Sequence, residues 1–196
     1  MGGIFALTGI FSVLAIFVVV YVVPAAPSLP PAQVSIREIL AHGELMRLNF
    51  GVFALHLTQM AMFVVIPSAL IRFAQLPLAE HWKIYLPVVI ASFVLMLPPI
   101  FIGEKRGKSK QVFVAAIALL LLVQIGMWLA LSQTQLHAAW LVGLLLAFFV
   151  AFNILEASQP SLVSRIAPPG SKGTALGVYN TCLLYTSPSP RDVEES

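Results

Sequence analysis

Long apolar runs separated by short polar breaks dominate the chain. The first run, 2–23, holds no charged residue and is long enough to cross a bilayer, which takes about 20 helical residues. Pro24, Pro27, Pro30 and Pro31 end it, because proline lacks the backbone donor and clashes with the preceding turn. A second run, 48–71, predicts a helix of about 36 Å at 1.5 Å per residue. A third, 84–102, contains Pro87, Pro98 and Pro99, which predict a bent or loosened helix. A fourth covers 112–131, a fifth runs from Ala138 to about Ser164, and Gly173 starts a sixth helix. Spans of this length in lipid must satisfy their own backbone polar groups, which helices do. The pattern predicts an all-α fold, a polytopic membrane helix bundle. A secretory signal does not fit the first run, since no positive charge precedes it and it exceeds a typical apolar signal core.

The breaks carry the remaining organisation. Residues 24–47 form a polar connection in which Ser35-Ile36-Arg37-Glu38 matches a capping box. It predicts a short amphipathic helix with Ile36, Ile39 and Leu40 on one side, lying on the membrane surface or against the protein. Residues 48–181 hold the remaining spans. After Thr181 the chain reads Cys182-Leu-Leu-Tyr-Thr-Ser-Pro-Ser-Pro-Arg-Asp192. Two prolines and a charge cannot continue a membrane helix, and the string is similar to a translated sequencing adapter. Residues 182–196 are therefore expected to be a non-native tail, with a different native sequence after Thr181.

Composition agrees with lipid as the solvent: 59% of the 196 residues are hydrophobic and 10% charged, against about 25% charged in soluble domains. The net charge of +3 is no nucleic-acid footprint, and one cysteine, Cys182, excludes an intramolecular disulfide. Charge placement orients the chain. The connections 24–47, 103–110 and 165–172 fall on one side and hold Arg37, Arg47, Lys105, Arg106, Lys108, Lys110, Arg165 and Lys172, against Arg72 and Lys83 on the other. Cytoplasmic loops are the basic ones, so these three connections are predicted cytoplasmic. Gly2 then lies outside, and residues before Met1 are expected to be missing.

No enzyme constellation is present. His42, His56, His81 and His137 lie on separate segments without metal-ligand spacing, and no phosphate loop, dinucleotide fingerprint or nucleophile elbow occurs. Neither metal nor cofactor is expected. The chemistry lies in polar residues inside spans. Glu156 in the fifth span is costly in lipid, and such groups face the interior or a cavity. Asn153 and Phe149 precede it on the same face. Together they suit a polar substrate group or a proton; equally, Glu156 suits a pairing with a basic loop residue near the cytoplasmic end. His56 and Gln59, with Phe63 a turn further, form a second polar pair, either a titrating group or an interhelical hydrogen bond. Glu104-Lys105-Arg106-Gly107-Lys108 joins two spans by a tight turn, for which Gly107 supplies the backbone freedom. Glu104 can accept from a helix N-terminus or pair with an arginine.

That loop resembles the signature G-x-x-x-D-R/K-x-G-R/K-R/K of the major facilitator superfamily. Lys105, Gly107 and Lys108 match; Glu104 replaces the aspartate, Ile100 the first glycine and Ser109 the last basic residue. Leu48-Asn49-Phe50-Gly51, Ala79 to Lys83, Phe148 to Asn153 with Glu156, and Lys172 to Tyr179 are similar to its drug–proton antiporter branch, over 2–181. The resemblance implies a partial fold of that family: 1–23 a helix from the first half, 24–47 the central cytoplasmic linker, and 48–181 part of the C-terminal half. It further implies proton-coupled efflux of small molecules across a bacterial inner membrane, with the lipid bilayer, a small-molecule substrate, protons and a missing N-terminal half as partners. Glu156, Asn153, Phe149, His56 and Gln59 would line the pathway, and Glu104, Lys105, Gly107 and Lys108 would stabilise one conformational state. A nutrient or sugar-like substrate, or a non-transporting membrane scaffold or sensor, stay open as alternatives.

Overall fold

A computed structural model describes residues 2–24, 36–133, 136–168 and 170–184. The Ser35 cap and residues 185–196 of the expected tail lie outside them. The chain divides into two units, Met1–Ala32 and Gln33–Ser196.

The first unit holds one helix, α1 (Gly2–Tyr21). It is apolar on every side, with Phe5, Ile10, Phe17 and Val20 spread along its length. A helix without a polar face belongs in lipid or between other helices. Its one serine hydroxyl is satisfied locally, Ser12 Oγ donating to Thr8 O at 2.9 Å.

The second unit contains α2 (Ile36–Ala41), α3 (Gly43–Ala74), a 3-10 turn (Leu78–Glu80), α4 (Trp82–Lys105), α5 (Ser109–Leu131), α6 (Ala138–Ile166) and α7 (Lys172–Leu184). Four of its helices are long and apolar enough to cross a membrane. The first lies in α3, and α4, α5 and α6 supply the others. Prolines do not interrupt them: Pro67 lies inside α3, Pro87, Pro98 and Pro99 inside α4, and Pro160 inside α6. Membrane helices tolerate proline because neighbouring groups re-satisfy the freed carbonyls.

Two boundaries differ from the pattern. α3 starts at Gly43, five residues before the apolar run, so Glu44 and Arg47 belong to its first turns rather than to the linker. No breaker stands between Gly43 and Leu48, and charged side chains at a helix end reach past the apolar zone. α4 likewise runs through Gly103 to Lys105, which shortens the basic loop to a turn. Gly107 has φ +64°, a left-handed conformation that glycine adopts without steric cost. The expected short helix of the linker is present as α2. Ile39 is buried, while Ile36 and Leu40 are 59% and 48% exposed. Ile39 joins Leu45, Val52, Val163 and Tyr179 in a cluster where α3, α6 and α7 meet; Ile36 and Leu40 stay outside it.

α6 is the hub, in contact with α3, α4, α5 and α7. Leu141, Leu145, Phe148, Phe152 and Leu155 of α6 fill the larger core with residues of α3, α4 and α5. Apolar burial drives little in lipid, so close packing and small residues set helix association. A Cβ on Gly103 of α4 would lie 2.6 Å from Val112 Cγ2 of α5, and one on Gly126 of α5 would lie 2.8 Å from Leu144 Cδ2 of α6. These glycines let the α4–α5–α6 layer close.

Candidate functional site

α6 presents its polar groups to two neighbours. Asn153 turns to α4: its Nδ2 donates to Ser92 Oγ at 2.9 Å, and Ser92 Oγ donates onward to Val89 O at 2.7 Å. Glu156 turns to α3, where its Oε2 lies 3.5 Å from His56 Nε2. His56 is buried and fixed from both ends. Its Nδ1 sits 3.0 Å from the Val52 carbonyl one turn earlier, and the Phe152 ring meets it edge-on at 5.7 Å. The Glu156 side chain is 38% exposed, yet Oε2 is buried without a hydrogen-bond partner. One carboxylate oxygen thus faces the histidine, and the exposed part of the side chain opens onto the surface of this unit.

One turn nearer the C-terminal end of α6, Gln159 Oε1 accepts from the Tyr179 hydroxyl of α7 at 3.1 Å, both residues being buried. The polar groups of α6 therefore stitch it to α4 through Asn153, to α3 through Glu156 and to α7 through Gln159.

The expected residues divide. Glu156 and His56 come together from helices far apart in sequence. Asn153 is near them but engaged with α4. Phe149 is buried in the core against Phe148 at 5.4 Å, so it does not line an open face beside Asn153 and Glu156. Gln59 is partly buried one turn along α3, and Phe63 is 45% exposed. Among the described residues the ionisable group beside Glu156 is His56 rather than a basic loop residue. The loop cation nearest in sequence, Arg165, instead places Nη2 3.4 Å from Glu104 Oε1, the arginine option of the two open to Glu104. This exposed clasp ties the α4–α5 turn to the end of α6, beside a cavity of about 140 Å³ that Ser109, Ser158 and Ser161 also line. Lys105 and Lys108 are exposed around it. Ser92, Gln159, Tyr179 and Arg165 were not singled out from sequence. Gln159 had a signal, being a polar residue in the span three positions after Glu156. Among the described residues no group of three or more His, Cys, Asp or Glu could hold a metal ion.

The Major Facilitator Superfamily model matches residues 2–185. The inner membrane transport protein YajR of Escherichia coli (strain K12) is 45% identical over 147 residues, 75% of this chain and 31% of that protein. An uncharacterized transporter of Buchnera aphidicola subsp. Baizongia pistaciae (strain Bp) is 23% identical over 185 residues, 91% of this chain and 46% of that protein. The multidrug resistance protein MdtH of Aeromonas salmonicida (strain A449) is 25% identical over 147 residues, 75% of this chain and 36% of that protein. The chain thus spans less than half the length of these relatives. With the apolar helices described above, these matches mean that the chain belongs to the Major Facilitator Superfamily, a family of membrane transporters and not of enzymes, and is a multi-pass protein of the bacterial inner membrane.

Proposed function

We propose that the whole protein exports small molecules across the inner membrane in exchange for protons. The observation that carries this reading is Glu156: a carboxylate well inside a membrane helix, paired with a buried histidine on a facing helix and partly open to the unit's surface. Ionisable groups in spans are costly and mark substrate or proton paths. A carboxylate that can be neutral or charged offers one position to a proton and to a cationic group of a substrate in turn. Transporters of this architecture bind near the bilayer midplane between two repeats and rock one against the other. The exposed part of Glu156 would face that space, opposite the N-terminal half. The Glu104–Arg165 clasp would hold the cytoplasmic ends of α4, α5 and α6 together in one state and release them in the other. Export is favoured over import by the likeness to a multidrug resistance protein.

Glu156→Gln tests the reading, because it keeps the shape and removes the exchangeable charge. In the whole protein the variant is expected to insert and reach normal abundance, yet to lose most proton-driven efflux of a fluorescent cation from intact cells. Normal abundance with normal efflux contradicts the proposal. Collapse of abundance makes Glu156 a structural partner of His56 instead.

A further inference from the structure

α4 carries two side-chain anchors to α6, and they differ in kind. The first is Ser92, fully buried, whose Oγ accepts from Asn153 Nδ2 at 2.9 Å. The second is Glu104, 3.4 Å from Arg165 with both side chains exposed. A hydrogen bond kept out of water has no ready substitute, whereas an exposed ion pair is held weakly and exchanges with solvent. Pro98 and Pro99 stand between the two anchors, inside the helix. Neither ring nitrogen carries hydrogen, so the carbonyls of Val94 and Leu95 lose their α-helical donors. Pro87 removes one such bond further up α4, while Pro98 and Pro99 remove two neighbouring ones. The stretch between the anchors is therefore where the backbone ladder of α4 is weakest.

The end of α4 beyond the prolines, residues 100–105, is packed in a way that permits movement. Toward α5 it presents Gly103, which has no side chain to interlock with Val112 and lies too close for a Cβ. Toward α6 it is loosely packed: Ile100 and Glu104 border the cavity of about 140 Å³, with Ser158, Ser161 and Leu162 of α6 on the other side. The end of the helix thus has space beside it, a smooth contact with α5 and one exposed ion pair to hold it. Before the prolines, Val88 and Ser92 are buried and Tyr85, Val89 and Met96 pack on the core.

We infer that Pro98 and Pro99 form a hinge about which residues 100–105 swing, with Ser92 as the fixed point and the Glu104–Arg165 pair as the catch. The use of this hinge rests on the two-state role proposed above for that pair; its mechanics do not. The moving segment is about 9 Å long, and a bend of about 20°, ordinary at a proline, carries its tip about 3 Å. That motion opens or closes the end of the α4–α5–α6 layer without disturbing the Asn153–Ser92 contact.

The test is a pulsed electron–electron distance measurement on the whole protein in lipid, with spin labels at two pairs of exposed positions. Lys105 with Leu121 spans the hinge, and Ile90 with Leu121 lies on its far side. Glu104→Gln releases the catch. It should move the Lys105–Leu121 distance by about 3 Å, the swing expected of a proline bend, and leave Ile90–Leu121 unchanged. In a Pro98→Ala/Pro99→Ala background, where both backbone donors return and the helix is strengthened, Glu104→Gln should move neither distance. A shift of equal size in that background, a common shift of both pairs, or no shift with the prolines in place would overturn the inference. The distances are read without substrate or gradient. A hinge that answers to the catch in a protein that exchanges no protons would sink the exchange reading alone; proton exchange with a rigid α4 would sink the hinge alone.

Discussion

His56 and Glu156 were each visible in the sequence as polar residues where lipid makes polarity expensive, but their partnership was not. Periodicity fixes angles within one helix and says nothing about how two helices rotate against each other. The same limit explains Asn153. Residues three apart on a helix differ by about 60° around its axis. Within one broad face, that suffices to aim Asn153 at α4 and Glu156 at α3. Phe149 follows the same logic, turning into the core with Phe148. The Asn153–Ser92 bond is testable. Ser92→Ala removes the acceptor for Asn153 Nδ2 and the donor to Val89 O. Interhelical hydrogen bonds in membranes contribute about 0.6 kcal/mol on average, so a stability loss of about 0.5–1 kcal/mol is expected in detergent unfolding titrations. An unchanged or higher unfolding midpoint would show that the bond does not hold α4 to α6.

The elements were legible because apolar runs, proline clusters and basic turns are strong signals. Their boundaries were less so. Hydropathy places the start of α3 at Leu48, where the chain becomes apolar, whereas the helix continues as far as backbone geometry permits, to Gly43. The amphipathic reading of α2 found a real helix, of which Ile39 packs with residues of α3, α6 and α7 while Ile36 and Leu40 stay exposed within this unit. Gly103 was read as part of a loop and proved to be a packing residue. Gly103→Ala would set a Cβ 2.6 Å from Val112 Cγ2, and valine cannot swing aside because its branched side chain holds one favoured rotamer in a helix. Such overpacking costs about 1–3 kcal/mol. A matching fall in melting temperature is expected, with recovery in Gly103→Ala/Val112→Ala. Equal losses in the single and double variants would place the cost elsewhere than in this contact.

At the scale of the whole molecule the charge count predicts a topology. The clasp between Glu104 and Arg165 joins the α4–α5 turn and the end of α6 at one end of the bundle, and the Ile39 cluster gathers residues from the starts of α3 and α7 and the end of α6. These are the connections the positive-inside rule assigns to the cytoplasm. A cysteine replacing the exposed Arg106 in the whole protein should resist an impermeant thiol reagent outside intact cells and react once the cells are opened. Ready labelling from outside would invert the topology. The family, the all-α class and the membrane location were thus accessible from pattern, charge and a short loop motif. Substrate chemistry was not, because a carboxylate beside an amide fits many small cations. The most direct measurement uses the purified whole protein in vesicles, with a fluorescent cation outside and an imposed pH gradient, acid inside. Exchange of internal protons for external substrate predicts several-fold accumulation in the wild type, abolished by dissipating the gradient and absent in Glu156→Gln. Accumulation that ignores the gradient, or survives unchanged in Glu156→Gln, would contradict the account.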